Sequence, residues 1–419
     1  MNDLTIDNAQ LVLPGHRVAC GTLEVKDGRI AAIRLVDDPA VAAQARMLVM
    51  PGLVNCHGHT AMTLVRGLGS GLPLQRWLNE AIFPVEAKMS PADVYAGAVW
   101  GAREMLAGGT TTVADMYDFP EMGARAFAAC GINARVCRVG LSFVPGRLEE
   151  CVRSVREALE GVEPGGAEVR MDFCIHSEYL TDENFCRGIA AANRELKRPL
   201  LFHVSETEQE HRECIARHGK TPIAYLAETG ILDCGGYAAH CVWCTDDDFR
   251  IMAEKGVSLI HNPSSNMKLG SGFARIWRAK ELGVNVALGT DGCASNDNLD
   301  MFEEMHLASL IHKGLRCDPT ALSPWEVIDM ATVNGAKALG IDDAGELAVG
   351  KRADLCMVDL DRPHLLPRLD IANLIVHSMQ AADVVKTVVG GKTVYEQGQG
   401  DSAAEKSAFL AAVRHIGLL

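Results

Sequence analysis

Residues 47–57 read MLVMPGLVNCH, an apolar run that ends on a side chain able to bind a metal or carry a proton. Seven more short, mainly apolar segments follow. They are TTTVADM (110–116), ARVCRVGL (134–141), RMDFCIH (170–176), PLLFHVSE (199–206), GYAAHCV (236–242), VSLIHNP (257–263) and VNVALGTDG (284–292). Short continuous apolar runs of this kind suit strands buried on both faces. Helix-like segments separate most of them. The clearest is predicted to start after Ser90, an N-cap residue, with Pro91 at the first helical position and Asp93 in the first turn. Its apolar face runs through Val94, Ala98, Ala102 and Met105, and it stops at Gly108-Gly109. Strands alternating with helices predict a parallel sheet, and eight of them predict a closed (β/α)8, TIM-like barrel. The competing fold is a doubly wound open sheet. It lacks a G-x-G-x-x-G after the first strand to support a dinucleotide site.

The two ends of the chain read differently. LTIDNAQLVL (4–13) and GTLEVKDGRIAAIRL (21–35) are strand-like, and Asp27-Gly28 is a hairpin signal. ADLCMVDL (353–360) and VVKTVVGGKTVYEQG (384–398) have the same character, with a turn at Gly390-Gly391. The expected organisation is a small β-sandwich domain built from residues 1–52 and 355–419, around a catalytic barrel of residues 53–354.

Bulk composition narrows the function. The chain has 419 residues, 48% of them hydrophobic and 22% charged, enough for a large core with a soluble surface. A formal net charge of −14 disfavours nucleic acid and anionic membranes as partners. No apolar run approaches the roughly 20 residues of a membrane helix. The opening MNDLTIDNAQ has no secretory pattern, so a cytoplasmic location is expected. The 14 cysteines are scattered, and Cys137, Cys174 and Cys356 sit in strand-like runs, as small buried hydrophobes do. Cys241 and Cys244 have C-x-x-C spacing but no second pair nearby, which argues against a structural zinc or a redox role.

In a parallel barrel the active site forms at the C-terminal ends of the strands. His57 and His59 end the first candidate strand, and their i, i+2 spacing turns both imidazoles to one face. His176, His203, His240 and Asp291 end the fourth, fifth, sixth and eighth. One such histidine would be unremarkable packing, but this many converging on one barrel mouth point to a metal centre held by His57, His59, His203 and Asp291. The mixed nitrogen and oxygen set suits one zinc ion, and also Fe2+ or Mn2+. A metal there would lower the pKa of water and supply hydroxide. Asp291 can bind the metal and accept the water's proton. Glu206, three residues beyond His203, is placed to shuttle that proton, and His240 to stabilise a tetrahedral intermediate.

Taken together, PGLVNCHGHTAMTLVRG (51–67), LLFHVSETEQE (200–210), AAHCVW (238–243), HNPSSNMKLG (261–270) and LGTDGCASND (288–297) resemble the amidohydrolase superfamily over essentially the whole chain. The likeness is to its branch of ring deaminases and s-triazine hydrolases. Many binuclear members carry a carboxylated lysine after the fourth strand. Cys174-Ile175-His176 stands here, which implies a single metal. Within the branch, LPLQRWLNEAIFPVEAKM (72–89) is similar to 5′-methylthioadenosine and S-adenosylhomocysteine deaminases. That resemblance implies that Glu86 holds ribose hydroxyls and that Trp77 lines the nucleoside pocket. It also implies that Arg138 and Arg147 contact substrate and that His176 contacts the purine. The family usually has proline two residues after that histidine. Glu178 stands here and bears on which substituent is accepted. His261 ends the seventh strand, in a loop that shapes the pocket, and is not assigned to the metal.

The expected reaction is hydrolytic deamination at C6 of an adenine nucleoside: adenosine, 5′-methylthioadenosine or S-adenosylhomocysteine. Glu206 would protonate the neighbouring ring nitrogen, and ammonia and the inosine analogue would leave. The cytidine deaminase signature of H-x-E with PCxxC is incomplete, because Cys241-Val242-Trp243-Cys244 lacks the preceding proline. Hydrolysis of another nitrogen ring (a triazine, a pterin or a guanine-like ring) would use the same metal residues, and Glu86 argues against a bare ring. Cyclic-amide hydrolysis is disfavoured by the absent lysine. A non-catalytic barrel is disfavoured by the complete ligand set. By the same resemblance, a homo-oligomer (dimer or tetramer) is expected.

Overall fold

The computed structural model of the protein describes residues 3–161, 167–399 and 402–419. From the N-terminus come β1 (Leu4–Leu13), β2 (Arg17–Lys26), β3 (Arg29–Leu35), β4 (Met47–Pro51) and β5 (Leu53–Gly58). Next are β6 (Thr110–Tyr117), β7 (Asn133–Arg138), β8 (Val169–Met171), β9 (Phe173–Cys174) and β10 (Leu200–Val204). Then follow β11 (Gly236–His240), β12 (Val257–His261) and β13 (Val286–Leu288), and finally β14 (Leu355–Asp359), β15 (Val384–Val389) and β16 (Lys392–Glu396).

Each of the eight candidate segments contains a strand, but two of them break. The first divides at Gly52. β4 pairs with β1 and β14 in a sheet made from both ends of the chain, and β5 pairs with β6. The Gly52 amide bonds the Asp354 carbonyl instead, and a Cβ on Gly52 would lie 2.2 Å from the Thr111 side chain, so the crossing is too tight for any other residue. The fourth segment divides at Asp172. β8 pairs with β7, and β9 pairs with β10.

Two all-parallel sheets result, ordered β5-β6-β7-β8 and β9-β10-β11-β12-β13. Backbone bonds run between them at both sides: His176 N to Gly140 O at 3.0 Å, and Asp291 N to His57 O at 2.9 Å. Alternate strand residues, among them Val54, Met116, Leu201, Tyr237 and Ile260, form one buried cluster, and Tyr237 donates to Asp172 at 3.1 Å. The opposite faces pack on the helices, with Phe127, Phe202 and Phe249 fully buried there. The helix Pro91–Ala107 begins at Ser90 with a reciprocal capping box to Asp93 and ends at Gly108, as its sequence predicts.

The remaining sheet has seven strands, in the order β16-β15-β14-β4-β1-β2-β3. Its hairpins turn where φ is positive, at Asp27-Gly28 and Gly390-Gly391. The two turns lie against each other: a Cβ on Gly391 would stand 2.9 Å from the Gly28 Cα. All 14 cysteines are free thiols and 12 are buried. Among the described residues no helix is long and apolar enough to cross a membrane.

Candidate metal centre and substrate cavity

The strand ends that carry the candidate ligands do not simply continue. Ser205, His240, Cys241 and Asp291 all have left-handed backbone, with φ of 48°, 71°, 51° and 63°. Such conformations are costly for non-glycine residues and persist where the surrounding structure enforces them. Here they turn the chain at three strand ends, so that Glu206, His240 and Asp291 face the same space as His57 of β5 and His59 just after it.

His57, His59, His203 and Asp291 offer ligand atoms that all lie within 4.8 Å of one another. The His57 and His59 Nε2 atoms stand 3.4 and 3.3 Å from Asp291 Oδ1, and the His59 and His203 Nε2 atoms are 3.2 Å apart. Outer partners set the tautomers. His59 Nδ1 donates to the Met116 carbonyl and His203 Nδ1 to the His176 carbonyl, each at 2.7 Å. Each Nε2 lone pair is thereby left facing the cluster. His57 is fully buried, and neither of its ring nitrogens has a hydrogen-bond partner. A buried imidazole without a partner is an expensive arrangement unless a cation takes its lone pair. The donor set therefore fits one divalent metal ion.

Two of the three histidines are neutral, as ligands must be, and the third would release a proton on taking a cation. Burial pushes His57 down to about 4 and His203 well below its ordinary value, so both are neutral ligands at pH 7. Burial also opposes charge on His59, but the Asp291 carboxylate outweighs it and raises His59 to about 9. Burial raises the Asp291 carboxyl, but the adjacent His57 and His59 rings outweigh it and hold the carboxyl well below its ordinary range. Ser265 Oγ donates to Asp291 Oδ2 at 2.6 Å and the Gly292 amide to Oδ1 at 2.8 Å.

Beside the cluster, His240 Nε2 lies 3.8 Å from Glu206 Oε2. Burial raises the Glu206 carboxyl above its ordinary value, the direction that favours its holding a proton. The amides of Ser205 and Glu206 both donate at 2.8 Å to Glu210, whose carboxyl burial and the Glu206 charge push up to about 7.

A cavity of about 350 Å³ opens onto these groups. Its floor includes His59, His176, His203, Glu206, His240 and Asp291, and its walls include Leu74, Trp77, Leu78, Phe83, Phe119 and Leu269. His176 is lowered to about 3, first by burial and then by the neighbouring histidines, so it is a neutral hydrogen-bonding group. Glu86 lies on the same cavity, accepts from Tyr117 Oη at 2.6 Å and is raised by burial. Trp77 presents its ring to the cavity while Nε1 donates to the Leu68 carbonyl.

The structure does not bring every sequence candidate to this cavity. Arg138 turns away and bonds Ser154 at 3.0 Å and Glu121 at 2.9 Å. Arg147 bonds Asp118, a cavity residue, without itself lining the cavity. Glu178, read from sequence as a carboxylate at the barrel mouth, is buried in a pairing with Arg217 and His218 at 2.7 and 3.0 Å and does not line the cavity. Desolvation of a lone carboxylate explains that arrangement, since burying it unpaired would be costly. His261 lies 3.3 Å from His312, outside the ligand set. Cys241 and Cys244 are buried and belong to no metal-holding group among the described residues.

Several groups escaped the sequence reading: Tyr117, Glu210, Ser265, Asn266 and Ser271. Of these, Ser265 and Asn266 carry a local signal, the polar run Ser264-Ser265-Asn266 shortly after β12.

The amidohydrolase family model matches residues 48–394. The 5-methylthioadenosine/S-adenosylhomocysteine deaminase of Acetivibrio thermocellus is 42% identical over 382 residues, 89% of each chain. The 5′-deoxyadenosine deaminase of Methanosarcina mazei is 41% identical over 409 residues, 94% of this chain and 93% of that one. A zinc-bound adenosine deaminase from Xanthomonas campestris has a similar structure, with a TM-score of 0.91 and 32% identity over 100% of this chain and 99% of that one.

Proposed function

We propose that this chain, which belongs to the amidohydrolase family, hydrolytically deaminates an adenine nucleoside to its inosine analogue and ammonia. One observation carries the reading. A half-buried carboxylate suited to ribose, Glu86, shares a cavity with a candidate metal centre and with a proton-carrying pair, Glu206 and His240. The names of the relatives, deaminases of 5′-substituted or 5′-deoxy adenine nucleosides at 41–42% identity, support it.

His57, His59, His203 and Asp291 hold one divalent ion, zinc by the donor chemistry, and the bound zinc of the Xanthomonas campestris structure supports that choice. When bound, the ion lowers the pKa of water to near neutrality and supplies the nucleophile at C6. The protein's own groups do the rest. Asp291 takes one proton of the attacking water and passes it to the departing amino group, while Glu206 delivers a proton to ring N1 and recovers the C6 hydroxyl proton as the C6–N6 bond breaks and ammonia leaves. His240 Nε2 accepts a hydrogen bond from the attacking water, the oxygen of which becomes the inosine carbonyl. His176 hydrogen-bonds the purine, Trp77 packs against the nucleoside, and Glu86 accepts from the ribose hydroxyls. Arg147 acts from the rim by holding Asp118, while Arg138 stays with Ser154 and Glu121 outside the cavity.

In this reading residues 53–354 close into a single (β/α)8 barrel. The bond from Asp291 N to His57 O, between the last and first strand regions, supports that closure. Residues 1–52 and 355–419 form the β-sandwich, supported by their shared apolar cluster around Leu11, Leu23, Val49 and Leu355. The molecule is a homo-oligomer of the cytoplasm, a compartment that suits its 14 free cysteines.

The test is ammonia release by the zinc-loaded protein from adenosine, 5′-methylthioadenosine, S-adenosylhomocysteine, guanine, a pterin and an aminotriazine. Turnover of the nucleosides with the absorbance change of inosine formation is expected. Turnover of bare rings alone would remove the ribose role of Glu86 and with it the nucleoside assignment.

A further inference from the structure

Asp291, His240 and Glu206 come from three different strand ends, yet each receives a hydrogen bond from, or donates one to, the same short segment. Ser265 Oγ donates to Asp291 Oδ2 at 2.6 Å. His240 Nδ1 stands 2.9 Å from Asn266 Oδ1 and donates to it. Ser271 Oγ donates to Glu206 Oε1 at 3.4 Å. The segment is buried where it makes these bonds: Ser265 and Asn266 are at most 1% exposed, and Ser271 is 4% exposed.

It is also fastened at both ends. The Asn266 amide bonds the Asn262 carbonyl, and the amides of Ser271 and Gly272 return to the Asn266 carbonyl, closing a compact loop. Positive φ at Gly270 and Gly272 permits that return. Lys268 reaches the Ala294 carbonyl at 3.1 Å and Asp297 at 2.6 Å, beyond Asp291. Trp243 Nε1 donates to the Ser271 carbonyl at 2.9 Å, and the Trp243 amide donates to the Ser205 carbonyl, beside Glu206. The segment therefore spans the ends of β13, β11 and β10.

We infer that Ser265–Ser271 is a single positioning unit that orients the three proton-handling side chains relative to one another, with Asn266 fixing the ring of His240 and Ser271 fixing the carboxylate of Glu206. None of Ser265, Asn266 and Ser271 is a catalytic residue; each acts through its partner. The physical need is plain. Glu206 and His240 are 3.8 Å apart, too far for a direct hydrogen bond, so nothing between them holds either in place before substrate arrives. Rotation of either about its side-chain bonds would misalign donor and acceptor, and misplacement of about 1 Å costs roughly 100-fold in rate. With Asn266 Oδ1 taking the Nδ1 proton, the Nε2 edge of His240 is presented to the cavity in one orientation.

The inference rests on the deaminase reading for its kinetic arm only. The variants are Asn266→Ala, Ser271→Ala and the double substitution in the zinc-loaded protein, with Asn266→Asp as the variant that retains an acceptor oxygen. The imidazole 15N signals of His240, identified by their loss in His240→Gln, report its tautomer without any substrate. Asn266→Ala is expected to keep one zinc per chain, to move His240 out of its Nδ1-protonated state and to lower kcat roughly 10- to 100-fold, with KM within about threefold. Asn266→Asp is expected to restore the His240 signature. The double variant is expected to lose less than the product of the two single losses, because both act on one transfer geometry. Unchanged His240 signals in Asn266→Ala, or kcat within about twofold in either single variant, would overturn the inference. If Asn266→Ala fails to fold or sheds its zinc, Ser271→Ala, which removes one hydroxyl, decides by kcat alone. A wild-type protein that deaminates no nucleoside would sink the functional reading, while the His240 spectrum would still decide this one.

Discussion

Replacing Glu86 by glutamine separates the recognition of ribose from the chemistry at the ring. The carboxylate accepts from Tyr117 Oη at 2.6 Å through Oε1, which leaves Oε2 for two ribose hydroxyls. Glutamine is nearly isosteric, and its carbonyl oxygen can keep the Tyr117 bond. Its amide group then faces the cavity and offers hydrogens where the hydroxyls need an acceptor. A hydrogen bond to a charged group contributes about 1.5–3 kcal/mol, so losing one outright and weakening the second removes about 2–4 kcal/mol of binding. At ~1.4 kcal/mol per decade this is a fall in kcat/KM of roughly 30- to 1,000-fold for a nucleoside. The loss should appear mainly in KM if ribose is held equally in the ground and transition states. The assay is the absorbance change of deamination with 5′-methylthioadenosine, and with adenine as the base lacking ribose. Zinc content and melting temperature serve as controls. Adenine turnover, however slow, should be unaffected by the substitution. A kcat/KM for the nucleoside within about threefold of wild type would refute the ribose role. An equal fall on both substrates would show that Glu86 acts on the ring or on the folding of the cavity.

Other substitutions probe the centre itself. His203→Ala should abolish turnover and lower bound zinc measured by atomic emission, and a fully active, metal-free variant would refute the ligand assignment. Glu206→Gln should keep its zinc and lose about 10²–10⁴ in kcat, the usual span for a general acid–base, and normal turnover would move the proton shuttle elsewhere. Gly289→Ala should also shed metal, because the new Cβ would meet the His57 backbone nitrogen at 2.8 Å and Asn262 Nδ2 at 2.9 Å. Zinc affinity equal to wild type would show that β5 can yield. Glu304 is fully buried beside Asn296, and burial raises its carboxyl to about 8. A raised carboxyl favours the folded state while protonated, so its contribution is complete below about 4.5 and is lost as pH rises through about 8. Glu304→Gln should therefore flatten the alkaline decline of stability, by several kcal/mol at most, in urea titrations between pH 5 and 9. An unchanged slope would show that Glu304 is ionised in the folded protein.

The ligand set is legible in the sequence because of where its residues stand. Apolar runs of four to six residues must be strands buried on both faces, and a histidine or aspartate at the end of such a run has to emerge at one rim. That geometry is local, so the candidates His57, His59, His203, His240, Asp291 and Glu206 can be read from strand ends alone, and the folded chain brings five of them to one cavity with the buried His57 beside them. The hairpins at Asp27-Gly28 and Gly390-Gly391 and the capped helix after Ser90 are legible for the same reason: their causes lie within a few residues.

What tertiary structure alone decided was the direction of long side chains and the partners of buried polar groups. Arg138, Arg147 and Glu178 sit close to strand ends in sequence. Their ends lie several bonds from the backbone and go wherever an opposite charge is available: Glu121, Asp118, or Arg217 with His218. No periodicity encodes that choice. The division of residues 47–58 between two sheets depends on Thr111, far along the chain, pressing against Gly52. Likewise Asn266 and Ser271 show no sign of their role until folding brings a seventh-strand loop against groups from the fifth and sixth. Chain-local patterning determines which atoms reach the rim, and only the packed molecule determines which atoms they meet, because burial forces each polar group to find its partner wherever the fold supplies one.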